Sequence, residues 1–436
     1  MLVMLTGGSI FPLMRACFDV PGEPLEREIG LPGRAVRAML TRWVVVCAVA
    51  GLAGCSTLPR NALPTELMGK AGIPGMPDVR APSGRPSVAM SQDLALSFKQ
   101  ESPDEFPLGP DGAVHYAHLV LSGGGANGAF GAGFLNGWTN TGKRPVFKIV
   151  TGVSTGALMA PFAFLGPAYD GALREFYTTT ASRDIFRVLS FIPQLLGGES
   201  FADSGPLRLL IEQHVDVEFL RQIAQAHAAG RRLYVGTVDL DSQRLVVWNM
   251  GLIAASGRPE ALALFRQVML ASASIPIAFP PVFFEVEAGG LRYDEMHVDG
   301  AVATNVFYSG AVFNFPEARE GVGRGSARTD IYIIHNGQLL PVPQSTARSL
   351  RSIALRSFQS ASKAGFVGDL FRIYSVALRE QAGFNWVTMP NGVELAGNAL
   401  FDPVRMRALY DLGYDNAQAG QIWSTVPPGL QVQSPP

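Results

Sequence analysis

The chain has 436 residues, 47% hydrophobic and 16% charged, with a formal net charge of −1 at pH 7. That is enough for one large domain or two ordinary ones with a sizeable core, and the balanced charge and lack of basic runs set up no field for nucleic acid. The three cysteines, Cys17, Cys47 and Cys55, build no disulfide framework or thiolate metal site in the rest of the chain, and the six histidines show neither an i, i+4 pair nor H-E-x-x-H, so no metal and no cofactor is expected.

In chain order, residues 43–54 form an apolar run of signal-peptide length, preceded by Arg34, Arg37 and Arg42. It is too short for a comfortable membrane span. The acidic residues before Arg34 do not suit a signal, whereas a start at Met39 gives a compact one. The run ends Leu52-Ala53-Gly54-Cys55 and resembles a bacterial lipobox, whose cysteine is lipidated. Ser56 is similar to an outer-membrane sorting signal. Residues 1–54 are therefore expected as a signal region, with Cys55 the anchor of a lipoprotein in the outer membrane. Residues 56–92 are rich in Pro, Gly, Ala and Ser. Such a stretch reads as an extended tether, and 55–112 as the lipidated cysteine plus tether.

The catalytic domain is expected over 113–425. Strand 118–122, a glycine turn, helix 127–138, strand 146–151, a second turn and helix 155–165 alternate as in a parallel sheet covered by helices. Helix 170–180 follows. Residues 184–206 mix large apolar side chains with glycines. They read as a core helix and a loop, the favoured reading, or alternatively as a mobile apolar lid or lipid-facing rim near the site. Helices 206–214 and 216–228, strands 232–240 and 244–249, helix 259–271 and strands 291–298 and 330–335 come next. Apolar spacing over 345–381 predicts one long or broken helix, and a last helix covers 403–419.

Two turns carry the chemistry. The second reads Gly152-Val153-Ser154-Thr155-Gly156. This is G-x-S-x-G, the sharp strand-to-helix elbow that exposes a serine hydroxyl. The helix that starts there favours negative charge. The first turn, Gly123-Gly124-Gly125, offers backbone N–H groups unobstructed by side chains, as an oxyanion hole requires. With Gly128 it also matches G-x-G-x-x-G, a dinucleotide fingerprint. That reading needs an acid near the end of the second strand, where Lys148 and Thr151 stand instead. For the base, Asp299 ends a strand ahead of Gly300 and Ala301, so its carboxylate can reach the sheet edge where α/β sites assemble. Burial would raise its pKa and make it a better base. His335 also ends a strand, and the order Ser154, Asp299, His335 is that of a Ser-Asp-His esterase of the α/β-hydrolase type. A catalytically silent lipoprotein that binds lipid in the same pocket is a third reading.

Taken together, G-G-G-x-x-G, G-x-S-x-G one strand later, and D-G-A at 299–301 resemble the patatin-like phospholipases. The Ala271-Ser272-Ala273-Ser274-Ile275-Pro276 run and Phe279-Pro280-Pro281 add to this, and the likeness covers roughly 115–310. The resemblance implies a three-layer α/β/α fold with a mainly parallel sheet. It implies a Ser-Asp dyad without histidine: Ser154 the nucleophile, Asp299 the base, Gly124 and Gly125 the oxyanion hole. The expected partner is a membrane lipid or other acyl ester. Where the family often has Arg or Lys in the glycine turn, this chain has Asn127, which leaves headgroup charge open.

Overall fold

The structure is a computed structural model that describes residues 59–188, 200–393, 401–420 and 423–430. The expected signal region, Cys55 as its expected anchor and the centre of the 184–206 stretch lie outside the described residues.

The elements run in chain order as β1 (Arg80–Pro82), α1 (Val88–Gln100), β2 (His115–Leu121), α2 (Gly128–Asn140), β3 (Phe147–Val153) and α3 (Thr155–Leu165). Then come α4 (Asp170–Thr179), α5 (Ser182–Ile185), the two short strands β4 (Arg187–Val188) and β5 (Ala202–Asp203), α6 (Gly205–His214) and α7 (Val217–Ala228). They continue as β6 (Arg232–Asp239), β7 (Arg244–Asn249), α8 (Met250–Ala255), α9 (Ala261–Ser272), β8 (Val282–Ala288) and β9 (Leu291–Asp299). The last are α10 (Phe315–Glu320), β10 (Arg328–Gln338), α11 (Leu350–Glu380), β11 (Gly383–Met389) and α12 (Pro403–Gln418).

A nine-stranded sheet is the centre, in the order β1-β7-β6-β3-β2-β10-β11 with β9 and β8 attached beside β6. From β6 to β11 every pairing is parallel, and the side beyond β6 is antiparallel. Side chains alternate across the sheet. Leu119, Leu121, Val150 and Val235 enter one apolar core, with α2, α3, α9 and α12. Tyr116, Val120, Ile149 and Tyr234 enter the other, with α1, α10 and α11. The fold is therefore a three-layer α/β/α sandwich whose sheet is parallel through its middle, as expected.

β6 brings the two key strand ends together. β3 runs along it only as far as Val153 opposite Gly236. From the next residue, Thr237, the same edge is taken by the antiparallel end of β9, with Asp299 opposite Thr237. The residue after β3 and the last residue of β9 thus meet head to head.

The expected tether needs correction. From residue 59 onward the segment is packed, not free. Leu63, Ile73, Met76 and Val79 are buried in the first core, and Met90, Leu94 and Phe98 of α1 in the second. Arg80 pairs with buried Glu295, and Lys148 Nζ, fully buried, donates to Glu101 (2.9 Å) beneath Phe98, Phe106 and Tyr116. Prolines and glycines shape this stretch without preventing burial, because its apolar residues find partners on the sheet edge. β8 and β11 were also not expected, and the 345–381 helix is one unbroken α11.

Candidate active site

Ser154 sits at the tip of the elbow with φ 56° and ψ −127°. That backbone conformation is costly for a side-chain-bearing residue and persists only where the surroundings enforce it. They do so here. A Cβ on Gly152 would lie 2.4 Å from Gly156 O, and one on Gly156 2.4 Å from Leu121 O, so strand and helix approach closely only as glycines. The Ser154 N–H donates to Ser272 Oγ (3.0 Å), and that hydroxyl donates to Gly236 O (2.7 Å). The elbow is thereby tied to β6.

Ser154 Oγ donates to Asp299 Oδ2 at 2.6 Å. Asp299 is fully buried. Its Oδ1 accepts the Ala301 N–H (2.8 Å) and its own N–H donates to Ser274 O (2.9 Å). Two serines of one segment, Ser272 and Ser274, thus hold the two partners. Burial pushes the Asp299 carboxyl up to about 7, against smaller opposing effects of its bonds from Ser154 and Ala301. Among the described residues no cation offsets that desolvation.

The glycine turn lies against the serine. A Cβ at Gly123 would be 3.1 Å from Ser154 Cβ, whereas Gly125 faces open space. Among the described residues, the N–H groups of Gly124 and Gly125 have no acceptor, while Gly123 N–H donates to Asn305 O (3.3 Å). Asn336 clamps the turn from behind. Its N–H donates to Ser122 Oγ (2.8 Å), its Nδ2 to Ser122 O (2.9 Å), and its Oδ1 accepts Gly131 N–H (3.1 Å). Asn305 in turn donates its N–H to buried Asp369 Oδ2 (2.8 Å) and its Nδ2 to Ser362 O (2.6 Å). α11 therefore braces the loop after Asp299. Ser272 and Ser274 were visible in sequence as part of a motif. Asn305, Asn336 and Asp369 were missed, since each acts across a long separation that leaves no local pattern.

His335 is elsewhere. It stacks on Phe366 (3.5 Å between centroids, 9°) and its Nδ1 bonds Thr388 Oγ1 (2.9 Å). Burial, with Lys363 nearby, pushes it down to about 3, so it is neutral at working pH. None of the six histidines bonds Ser154 or Asp299: His297, the nearest in sequence to Asp299, bonds Thr237 and Glu295 instead.

Ser154 opens onto a narrow cleft of about 30 Å³. Its lining is chiefly apolar, with Leu158, Phe176, Leu207, Ile275, Phe279 and Met406, and among the described residues no lining residue is charged. A wider polar groove between residues 65–87 and the β6–β7 hairpin shares no lining residue with it. Asn127 is half-buried, and its side chain makes no bond to cap α2. Among the described residues no group of three His, Cys, Asp or Glu could hold a metal ion, and no helix is long and apolar enough to cross a membrane.

Residues 119–312 match the family model of the patatin-like phospholipases. The chain carries a patatin-like phospholipase domain. The match spans the glycine turn, the elbow and the Asp299 loop, so all three parts of the site fall inside this lipid ester hydrolase domain. Among solved structures, VipD from Legionella pneumophila is 13% identical, with 72% of this chain and 69% of that one covered at a TM-score of 0.36. Human GIVD cytosolic phospholipase A2 is 12% identical, with 65% and 51% covered at 0.27. The type III effector ExoU is 13% identical, with 70% and 52% covered at 0.22. The chain spans about half the length of the latter two. At these scores the family assignment rests on the sequence match. No curated protein matches the chain significantly.

Proposed function

We propose that this protein is a serine lipid acyl hydrolase of the phospholipase A or lysophospholipase type, that it works through a Ser154–Asp299 dyad, and that Cys55 anchors it to the outer membrane. The observation that carries the dyad is the 2.6 Å bond from Ser154 Oγ to a buried carboxylate, beside two N–H groups without acceptors and at the mouth of an apolar cleft.

The chemistry follows from that arrangement. An acyl chain lies along the apolar lining with its ester carbonyl over Ser154. Asp299, made more basic by burial, takes the hydroxyl proton as Oγ attacks. The N–H groups of Gly124 and Gly125 receive the charge on the carbonyl oxygen, where fixed donors act in a dry site at no cost of reorganisation. Asp299 returns its proton to the departing alkoxide, an acyl-serine remains, and water repeats both steps. Gly123, Gly128, Gly152 and Gly156 shape the two turns, and Gly300 and Ala301 the aspartate loop.

A fluorophosphonate probe tests the enzyme reading. The folded chain is expected to be labelled at Ser154 and not in Ser154→Ala. A folded chain that stays unlabelled would leave a silent lipid-binding lipoprotein as the better account. The anchor is tested separately, and support for it comes from the run before Cys55 alone. Cys55→Ala should move the protein from the membrane to the soluble fraction of an envelope preparation and abolish labelling by a fatty-acid probe. Unchanged fractionation would overturn the anchor without touching the dyad.

A further inference from the structure

The segment leading into α11, and that helix's first half, combine exposed apolar side chains with cations and no acidic residue. Between Asp330 and Asp369 the sequence holds Arg348, Arg351, Arg356 and Lys363 and no acidic residue. The exposed face of a helix on a water-soluble domain ordinarily carries charge. Here the exposed positions from Leu350 to Gly368 include Leu350, Ile353, Ser357, Ala361 and Ala364, and among the described side chains none of them is charged. Leu350 is 83% exposed and Ile353 52%. Leu340 (57%) and Val342 (51%) are held alongside, because Lys363 donates to Leu340 O and Arg356 to Val342 O (2.7 Å). Those two cations thus bond carbonyls, and among the described residues neither they nor Arg348 pairs with a carboxylate.

We propose that this face, residues 340–364, docks the protein on an anionic lipid surface. Uncompensated cations beside exposed leucine, isoleucine and valine are what an interfacial helix presents to acidic headgroups and the acyl boundary below them. A second copy of the chain fits less well, because a two-fold contact would set the same cations against each other. The position also serves the chemistry. Ser362 Oγ donates to Asn305 Oδ1 (2.7 Å), and Asn305 belongs to the loop that follows Asp299. Val302 of that loop is itself exposed. A bilayer under α11 would lie at the flank of the site. In this last respect the proposal rests on the lipid-hydrolase reading; the docking itself does not.

The test is co-flotation of the full chain carrying Cys55→Ser and Ser154→Ala, so that neither an acyl anchor nor hydrolysis contributes. The probes are phosphatidylcholine vesicles with and without phosphatidylglycerol. Partition is expected to favour the anionic vesicles by on the order of tenfold or more and to weaken with salt. Adding Leu350→Ser with Ile353→Ser, or Arg348→Glu, should each reduce it on the order of tenfold. In the Ser154 background these exposed substitutions should leave fluorophosphonate labelling unchanged. Equal partition onto both vesicles, or variants that float like the parent, would overturn the proposal. So would a dimer in sedimentation that these variants dissociate, which would assign the face to a second copy. Docking that persists in a chain whose Ser154 never labels would overturn the hydrolase reading and leave this one standing.

Discussion

Asp299→Asn is expected to lower kcat/KM for a soluble short-chain ester by on the order of 10²–10⁴-fold, the usual worth of a positioned general base. The fold should survive, since an amide can still accept the Ala301 N–H and meet Ser154 Oγ. The parent should show kcat/KM rising with pH through about 7 and level above it, because only the ionised carboxylate accepts the serine proton. Stability should move the other way. Burial holds the folded-state pKa of Asp299 above its ordinary value of 3.8. Folding is thus unpenalised below that ordinary value, and the penalty grows as pH rises and is complete above about 7. A shift of that size corresponds to about 4 kcal/mol at most. The melting temperature of Asp299→Asn relative to the parent should therefore increase between pH 4 and 8, as judged by calorimetry. His335→Ala is the matched control. Its ring is neutral, stacked on Phe366 and bonded to Thr388, so hydrolysis per folded molecule should persist. Activity that survives Asp299→Asn and disappears in His335→Ala would replace the dyad with a triad.

The parts of this site that were legible in sequence are those written in local backbone chemistry. A strand that ends in G-x-S-x-G reads as a sharp strand-to-helix turn, and Gly152 and Gly156 indeed leave no room for a Cβ where β3 turns into α3. The same holds for the glycine turn after β2. Asp299 could be placed at a sheet edge because its strand was visible. What fixes its distance to Ser154 was not, since β9 attaches to β6 only over Thr237–Asp239 and in the antiparallel sense. Segment composition misled over 56–92. Its prolines and glycines read as a tether, yet Val79, Met90 and Leu94 are buried against the sheet and α1 is locked there by the Lys148–Glu101 pair. Lys148 itself was noticed only as a residue that was not an acid. Asn336 and Asp369 act through hydrogen bonds to turns far away in sequence, and no periodicity marks such residues.

Gly124→Ala should be the most damaging change that leaves every catalytic side chain in place. A Cβ there would stand 2.1 Å from Asn336 O and 2.7 Å from Asn336 Cβ, on a residue whose φ is +154°. Asn336 cannot easily give way, since it is held by Ser122 at two points and by the Gly131 N–H. The turn must move instead, and the donors at Gly124 and Gly125 move with it. Losing a donor aimed at an oxyanion costs on the order of 10²–10³-fold in kcat. If the donors act only on the developing charge, kcat and kcat/KM should fall together. Gly125→Ala separates this from simple backbone strain. Its φ of +56° disfavours a side chain, but a Cβ there meets nothing within 4 Å. The left-handed conformation costs an alanine roughly 1–2 kcal/mol, so Gly125→Ala should melt lower yet lose less activity than Gly124→Ala. Steady-state kinetics on both variants, with melting curves alongside, check the pair. A Gly124→Ala enzyme with the parent's kcat would remove this turn from the oxyanion site. The remaining source of N–H groups would be the start of α3, where Ser154 N–H is already committed to Ser272.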